Sequence, residues 1–140
     1  MPLKIANKKR NYKTSNRTVY SCQYHVIWCA KYRRKVLETQ IQGRLKQLIE
    51  EKQDEYEYQI REVETQPDHV HLLIEIPPTH SVDKIVGKIK GYTSKVLREE
   101  YPSLKSRWFP SLWTRSKFVS SCGGVTLEII KDYIEGQSGQ

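Results

Sequence analysis

Apolar positions along the chain switch between a period of two and a period of 3.6, and the switches mark out the elements. From Val19 to Lys31 the chain is rich in Val, Ile, Tyr, Trp and Cys with few breakers, which predicts a strand. Thr39 followed by Gln42 is a capping-box pattern, and Ile41, Leu45, Leu48 and Ile49 then keep helical spacing, so a helix is expected to about Glu55. Tyr56 to Gln66 alternates again and predicts a second strand. His69 to Ile76 follows after Pro67 as a third, and the short turn makes the two an antiparallel hairpin. Ser81 is an N-cap for a second helix whose stripe is Val82, Ile85, Val86, Ile89, Val96 and Leu97, stopped by Tyr101-Pro102. Gly87 and Gly91 sit four apart on it, and mark either a close approach or a weak helix. Leu112 to Cys122 reads as a fourth strand, Gly123-Gly124 as a break, and 125–137 as a tail helix capped by Thr126. The order predicts an α+β ferredoxin-like or RRM-like βαββαβ fold: a four-stranded antiparallel sheet with two helices on one face, plus an extra C-terminal helix.

The third strand carries the chemistry. Side chains alternate across a strand, so Val70, Leu72, Ile74 and Ile76 point one way and His69 and His71 the other, about 7 Å apart. Two imidazoles on a rigid element suit a divalent metal. An isolated H-x-H on a strand is more often two ordinary histidines than ligands, so the pair needs a partner. His25, in the first strand, either faces the metal site or, the commoner case, is a satisfied core or edge histidine.

On a wheel of 100° per residue, Leu127, Ile129, Ile130, Tyr133, Ile134 and Gln137 share one face of the tail helix. Tyr133 and Gln137 project together from the packing side. A tyrosine there is ordinary; a glutamine beside it asks for a polar partner.

Charge adds a partner class. The 140 residues carry a net charge of +8, distributed unevenly. Residues 1–17, read as a basic N-terminal arm ahead of a single domain at 18–138, hold Lys4, Lys8, Lys9, Arg10, Lys13 and Arg17 and no acid. Lys31, Arg33, Arg34 and Lys35 form a second cluster. Lys105, Arg107, Arg115 and Lys117 form a third, among Trp108, Phe109 and Trp113. Cations beside aromatics suit single-stranded nucleic acid. Lys31, Arg33, Arg34, Lys88 and Lys90 are the expected contacts. Cys22, Cys29 and Cys122 lack zinc spacing and read as reduced thiols. No apolar run reaches the ~20 residues of a membrane span, and no signal peptide is visible, so a cytoplasmic protein is expected.

Pro67-Asp68-His69-Val70-His71-Leu72-Leu73 resembles the HUH motif, and Tyr133-Ile134-Glu135-Gly136-Gln137 resembles the nucleophile helix of single-tyrosine HUH transposases. Tyr24-His25-Val26-Ile27-Trp28 running into Lys31-Tyr32-Arg33-Arg34 is similar to that family's opening strand. The resemblance covers residues 18–138. It implies a prokaryotic, nucleoid-associated transposase that moves insertion sequences as single-stranded DNA, with hairpin ends, and works as a homodimer. It implies that Tyr133 is the nucleophile, that His69, His71 and Gln137 ligate Mg²⁺ or Mn²⁺, and that Gly123 and Gly124 are the hinge for the tail helix. Gly136 departs from a strong helix just before Gln137. A 5′-phosphotyrosine intermediate conserves bond energy, so ATP is not needed, and no phosphate-binding glycine loop is present. Competing readings are a domesticated relative acting on host palindromic repeats, a non-catalytic RRM-like single-stranded nucleic-acid binder, and a metallohydrolase without a covalent step.

Overall fold

The structure, a computed structural model, describes residues 13–15, 18–106, 110–121 and 127–139, with side chains described over 21–106, 110–121 and 130–137. Strands β1 (Lys13–Ser15) and β2 (Thr18–Tyr20) pair antiparallel in a small ribbon. The main sheet holds β3 (Gln23–Cys29), β4 (Gln59–Gln66), β5 (His69–Glu75) and β6 (Phe118–Ser121) in the order β4-β5-β3-β6, all antiparallel. Helices α1 (Thr39–Glu51) and α3 (Val82–Glu100) connect β3 to β4 and β5 to β6, with a short α2 (Gln53–Tyr56) after α1 and a tail helix α4 (Leu127–Glu135) at the end. This is the expected βαββαβ order with its extra C-terminal helix.

One face of the sheet is closed by α1 and α3. Val26 and Trp28 of β3 and Val70, Leu72 and Ile74 of β5 are fully buried there against Ile41, Leu45, Leu48, Ile49, Ile85, Val86, Ile89 and Leu97. Each such aliphatic contributes about 1.5–3 kcal/mol by leaving water. That anchors the register of β5, because a one-residue slip would turn Leu72 outward and His71 into the core.

Several boundaries differ from the sequence pattern. The expected first strand is two, because Ser21 and Cys22 interrupt it between the sheets, Cys22 instead offering its carbonyl to Ile76 N at 3.0 Å. The arm's Lys13–Ser15 is a strand of the ribbon; residues 1–12, 16 and 17 lie outside the described residues. Thr39 is not a cap. The N-cap is Glu38, with no side-chain bond, and Gln42 instead donates its amide to Leu37 O at 2.8 Å. Glu57, in the left-handed region at φ 60°, ends α2 and delays the next strand to Gln59. Ser81 does cap α3, its hydroxyl accepting from Lys84 N at 3.2 Å. The fourth strand covers only Phe118–Ser121. Before it, Trp113 makes an isolated bridge to Ala30, and Lys90 Nζ donates to Thr114, Arg115 and Ser116 carbonyls at 2.7, 3.4 and 3.2 Å. Those carbonyls are held by an ammonium in place of a neighbouring strand. Arg107, Trp108, Phe109, Cys122, Gly123, Gly124 and Thr126 lie outside the described residues.

Candidate active site

The second face of the sheet is where the polar chemistry collects. Cross-strand pairs Cys29↔His69, Ile27↔His71 and His25↔Leu73 place these residues on it, with Phe118 and Ser120 of β6 opposite Ile27 and His25. Both histidines of the pair sit here half-buried. They point away from α1 and α3, as the alternation requires.

Each has its own partner. His69 Nδ1 lies 2.7 Å from Asp68 Oδ1. A carboxylate accepts, so Nδ1 carries the hydrogen and Nε2 keeps its lone pair. His71 Nε2 lies 3.1 Å from His25 Nδ1, the rings 5.3 Å apart. Burial, then the neighbouring His25, holds His71 below the ordinary imidazole value. His25 is therefore a neighbour of the pair and not a bystander of the core. The signal was its strand parity: 25 shares a face with 27 and 29, which the antiparallel register sets beside 71 and 69.

The tail helix lies over the same face. Tyr133 stacks obliquely against Phe118, ring centroids 5.4 Å apart, and its hydroxyl donates to Ser116 Oγ at 3.4 Å. Ser116 Oγ donates in turn to Gln137 Oε1 at 2.7 Å. Gln137 is buried, 5% exposed, as the helical wheel predicted for the packing side. The α-helix ends at Glu135, and Gly136–Gly139 tightens to a 3₁₀ turn, so Gln137 is carried by that turn and not by α4 itself. Burial raises the Tyr133 phenol above its ordinary value, with Ser116 drawing it back in part.

Arg33 joins the two groups. Its Nε donates to Asp68 Oδ2 at 3.0 Å and one terminal nitrogen donates to Ile134 O at 3.3 Å. Tyr32 and Arg33 both have positive φ, 59° and 53°, costing about 1–2 kcal/mol per residue. So Arg33, expected to face DNA, turns into the protein.

The donor types fit a hard or borderline divalent ion: two imidazoles and an amide oxygen, with Asp68 engaging Nδ1 of His69 and not Nε2. Gln137 Oε1 accepts from the Ser116 hydroxyl and keeps a second lone pair. Among the described residues no cluster of three or more His, Cys, Asp and Glu side chains is set to hold an ion.

Comparison with known proteins decides the family. The family model described as "Transposase IS200 like" matches residues 18–137. The chain belongs to the IS200-like transposase family. It is 33% identical over 120 residues to the ISDra2 transposase TnpA of Deinococcus radiodurans, covering 85% of this chain and 86% of that one. It is 32% identical over 121 residues to the transposase for insertion sequence element IS200 of Salmonella typhimurium, covering 86% and 79%. A crystal structure of a candidate transposase from Deinococcus radiodurans superposes with a TM-score of 0.84 at 31% identity, covering 89% of this chain and 97% of that one. A REP-associated tyrosine transposase bound to a REP hairpin has the same fold, with a TM-score of 0.54 at 16% identity, covering 94% and 68%. The chain is thus a DNA transposase, an enzyme that transfers DNA strands.

The remaining cations expected to meet DNA are spread around this transposase fold. Lys31 and exposed Arg34 flank the ring of Tyr32, at 5.2 and 5.8 Å from its centroid. Lys88 is exposed on α3, 5.7 Å from the Tyr56 ring. Lys90 is tied to its three carbonyls. Lys31 and Lys90 line a cleft of about 600 Å³ with Gly87, Gly91, Trp113 and Arg115. Among the described residues a Cβ at either glycine would meet nothing within 4 Å. No described helix is long and apolar enough to cross a membrane.

Proposed function

We propose that this transposase cuts and rejoins single-stranded DNA at insertion-sequence ends, with Tyr133 as nucleophile and His69, His71 and Gln137 as ligands of Mg²⁺ or Mn²⁺. The observation that carries it is the docking of α4 on the sheet face that holds His69 and His71, which brings Tyr133 and Gln137 to that face. When bound, the metal withdraws charge from the scissile phosphate and orients it.

The chain's own residues supply the rest. The Tyr133 oxygen forms a bond to phosphorus as the bond to the 3′-oxygen breaks. The phenol proton leaves, and the departing oxygen ends as a 3′-OH. The 5′-phosphate stays on tyrosine until another 3′-OH attacks it, which returns the phenol. Each step exchanges one phosphodiester for another, so no ATP is consumed. Burial makes the phenol reluctant to ionise before attack, and proton removal therefore belongs with bond formation. Asp68 and His25 hold the two imidazoles in fixed orientations.

Of the expected contacts, exposed Arg34 and Lys88 and half-buried Lys31 follow the DNA backbone. Hairpin ends, a homodimer and a hinge for the tail helix at Gly123-Gly124 complete the reading. The hairpin bound by the REP-associated neighbour supports the first of these. The test uses oligonucleotides for each strand of the DNA flanking the gene, incubated with Mg²⁺ or Mn²⁺ and run on a denaturing gel. The expected result is a protein–DNA adduct that needs metal and disappears in Tyr133→Phe. An adduct that persists in that variant rejects Tyr133 as nucleophile.

A further inference from the structure

The turn at Lys31–Arg33 spends two consecutive left-handed residues, neither of them glycine, to send one side chain back across the sheet's end. Arg33 N bonds Ala30 O at 2.7 Å and Arg34 N bonds Lys31 O at 3.3 Å, so the turn is tight. Its neighbours behave differently: Tyr32 is 45% exposed, with Lys31 and Arg34 beside its ring. An arginine meant only for solvent phosphate needs no such backbone.

What Arg33 reaches explains the geometry. Asp68 divides its carboxylate, Oδ1 to His69 Nδ1 at 2.7 Å and Oδ2 to Arg33 Nε at 3.0 Å. The Asp68 side chain is 11% exposed and that of Arg33 28%, so water screens the pair poorly. Another Arg33 nitrogen donates to Ile134 O at 3.3 Å. Ile134 lies in the last turn of α4, where carbonyls lack partners along the helix and where a cation complements the helix dipole. A guanidinium has separate N–H groups in a fixed plane and can serve a carboxylate and a carbonyl together.

We propose that Arg33 is a positioning residue that couples the tail helix to His69: when α4 is docked, Arg33 bridges it to Asp68, and Asp68 fixes the imidazole with Nε2 open. When α4 leaves, Arg33 loses its carbonyl acceptor and Asp68 loses its fixed counter-ion. The nucleophile-bearing helix and the histidine are then set by one device. Only the importance of His69 rests on the metal reading above; the linkage itself is a property of the metal-free protein.

The test is made on the full chain without metal, above the imidazole pKa. Amide hydrogen exchange reads α4, and long-range proton–nitrogen correlation reads the His69 tautomer. In the native protein His69 is expected as the Nδ1–H form. In Arg33→Gln the α4 amides are expected to exchange about ten-fold faster and the His69 tautomer to become mixed. Arg33→Lys, with one point donor, is expected not to restore both. Asp68→Asn is decisive, because Asp68 reaches the tail through Arg33: α4 exchange rises there too. Unchanged α4 exchange in Asp68→Asn, or an unchanged His69 tautomer in Arg33→Gln, overturns the coupling. A native protein that fails to bind Mn²⁺ in a separate titration removes the metal reading alone, since both readouts here are taken without metal.

Discussion

His25 Nδ1 stands 3.1 Å from His71 Nε2, so the second histidine of the pair is held by an imidazole from the adjacent strand. Residues that orient a metal-binding histidine commonly alter affinity by about 10–100-fold when removed. His25→Ala is therefore expected to weaken Mn²⁺ binding within that range and leave the fold intact, while His71→Ala removes binding. Calorimetric titration with matched circular dichroism separates the two. Mn²⁺ affinity equal to native in His25→Ala would reduce the contact to packing.

Ser116 holds Tyr133 and Gln137 through a single hydroxyl. A hydroxyl bonded to a ligand oxygen competes with a metal for that oxygen's electron density and for its orientation. The net worth of such a bond is about 1 kcal/mol. Ser116→Ala is expected to tighten Mn²⁺ binding by about five-fold. Weaker metal binding in Ser116→Ala would mean that the serine supports Gln137 instead of competing for it.

The sheet, its two covering helices and the side on which His69 and His71 lie were legible because period-two and period-3.6 patterns are dictated by burial, which the sequence displays directly. The segment 112–117 was not. Its apolar Leu112 and Trp113 are buried as in a strand, but the backbone bonds go to Ala30's neighbourhood and to Lys90, contacts set by tertiary packing. The Thr39–Gln42 capping box failed for a similar reason: Gln42 is drawn to Leu37 O and to Thr65, whose hydroxyl donates to it at 2.9 Å. The Tyr133–Gln137 pair was visible as two polar groups on the packing side of a helix. Their shared Ser116, and the inward turn of Arg33, were not, because left-handed backbone at Tyr32 and Arg33 has no residue-type signature.

The two faces of β5 should respond oppositely to truncation. Leu72 is fully buried between the sheet and its helices, whereas His71 is half-buried on the other side. Leu72→Ala is expected to cost about 2–5 kcal/mol from lost transfer energy and the cavity left. His71→Ala should cost far less stability while removing metal binding. Urea unfolding of both variants checks it; equal losses would mean that the second face is as closely packed as the first.

Lys90 gives the fold a pH signature. Burial, then repulsion from Lys117, pulls its ammonium from 10.5 down to about 8, although three carbonyls accept from it. Below about 8 the folded and unfolded chains both hold the proton, and the fold bears the full cost of a partly buried charge. Between about 8 and 10.5 the folded chain has released a proton that the unfolded chain retains, so this group's contribution to stability rises with pH across that window. Lys90→Met cannot titrate, and groups common to both proteins cancel in the comparison. The urea midpoint of the native protein is therefore expected to climb relative to Lys90→Met between those pH values and to run parallel to it below them. Parallel midpoints throughout would show that the carbonyls of residues 114–116 stabilise the ammonium enough to offset its burial, and Lys90 would then be a permanent cation at the edge of the Gly87–Gly91 cleft.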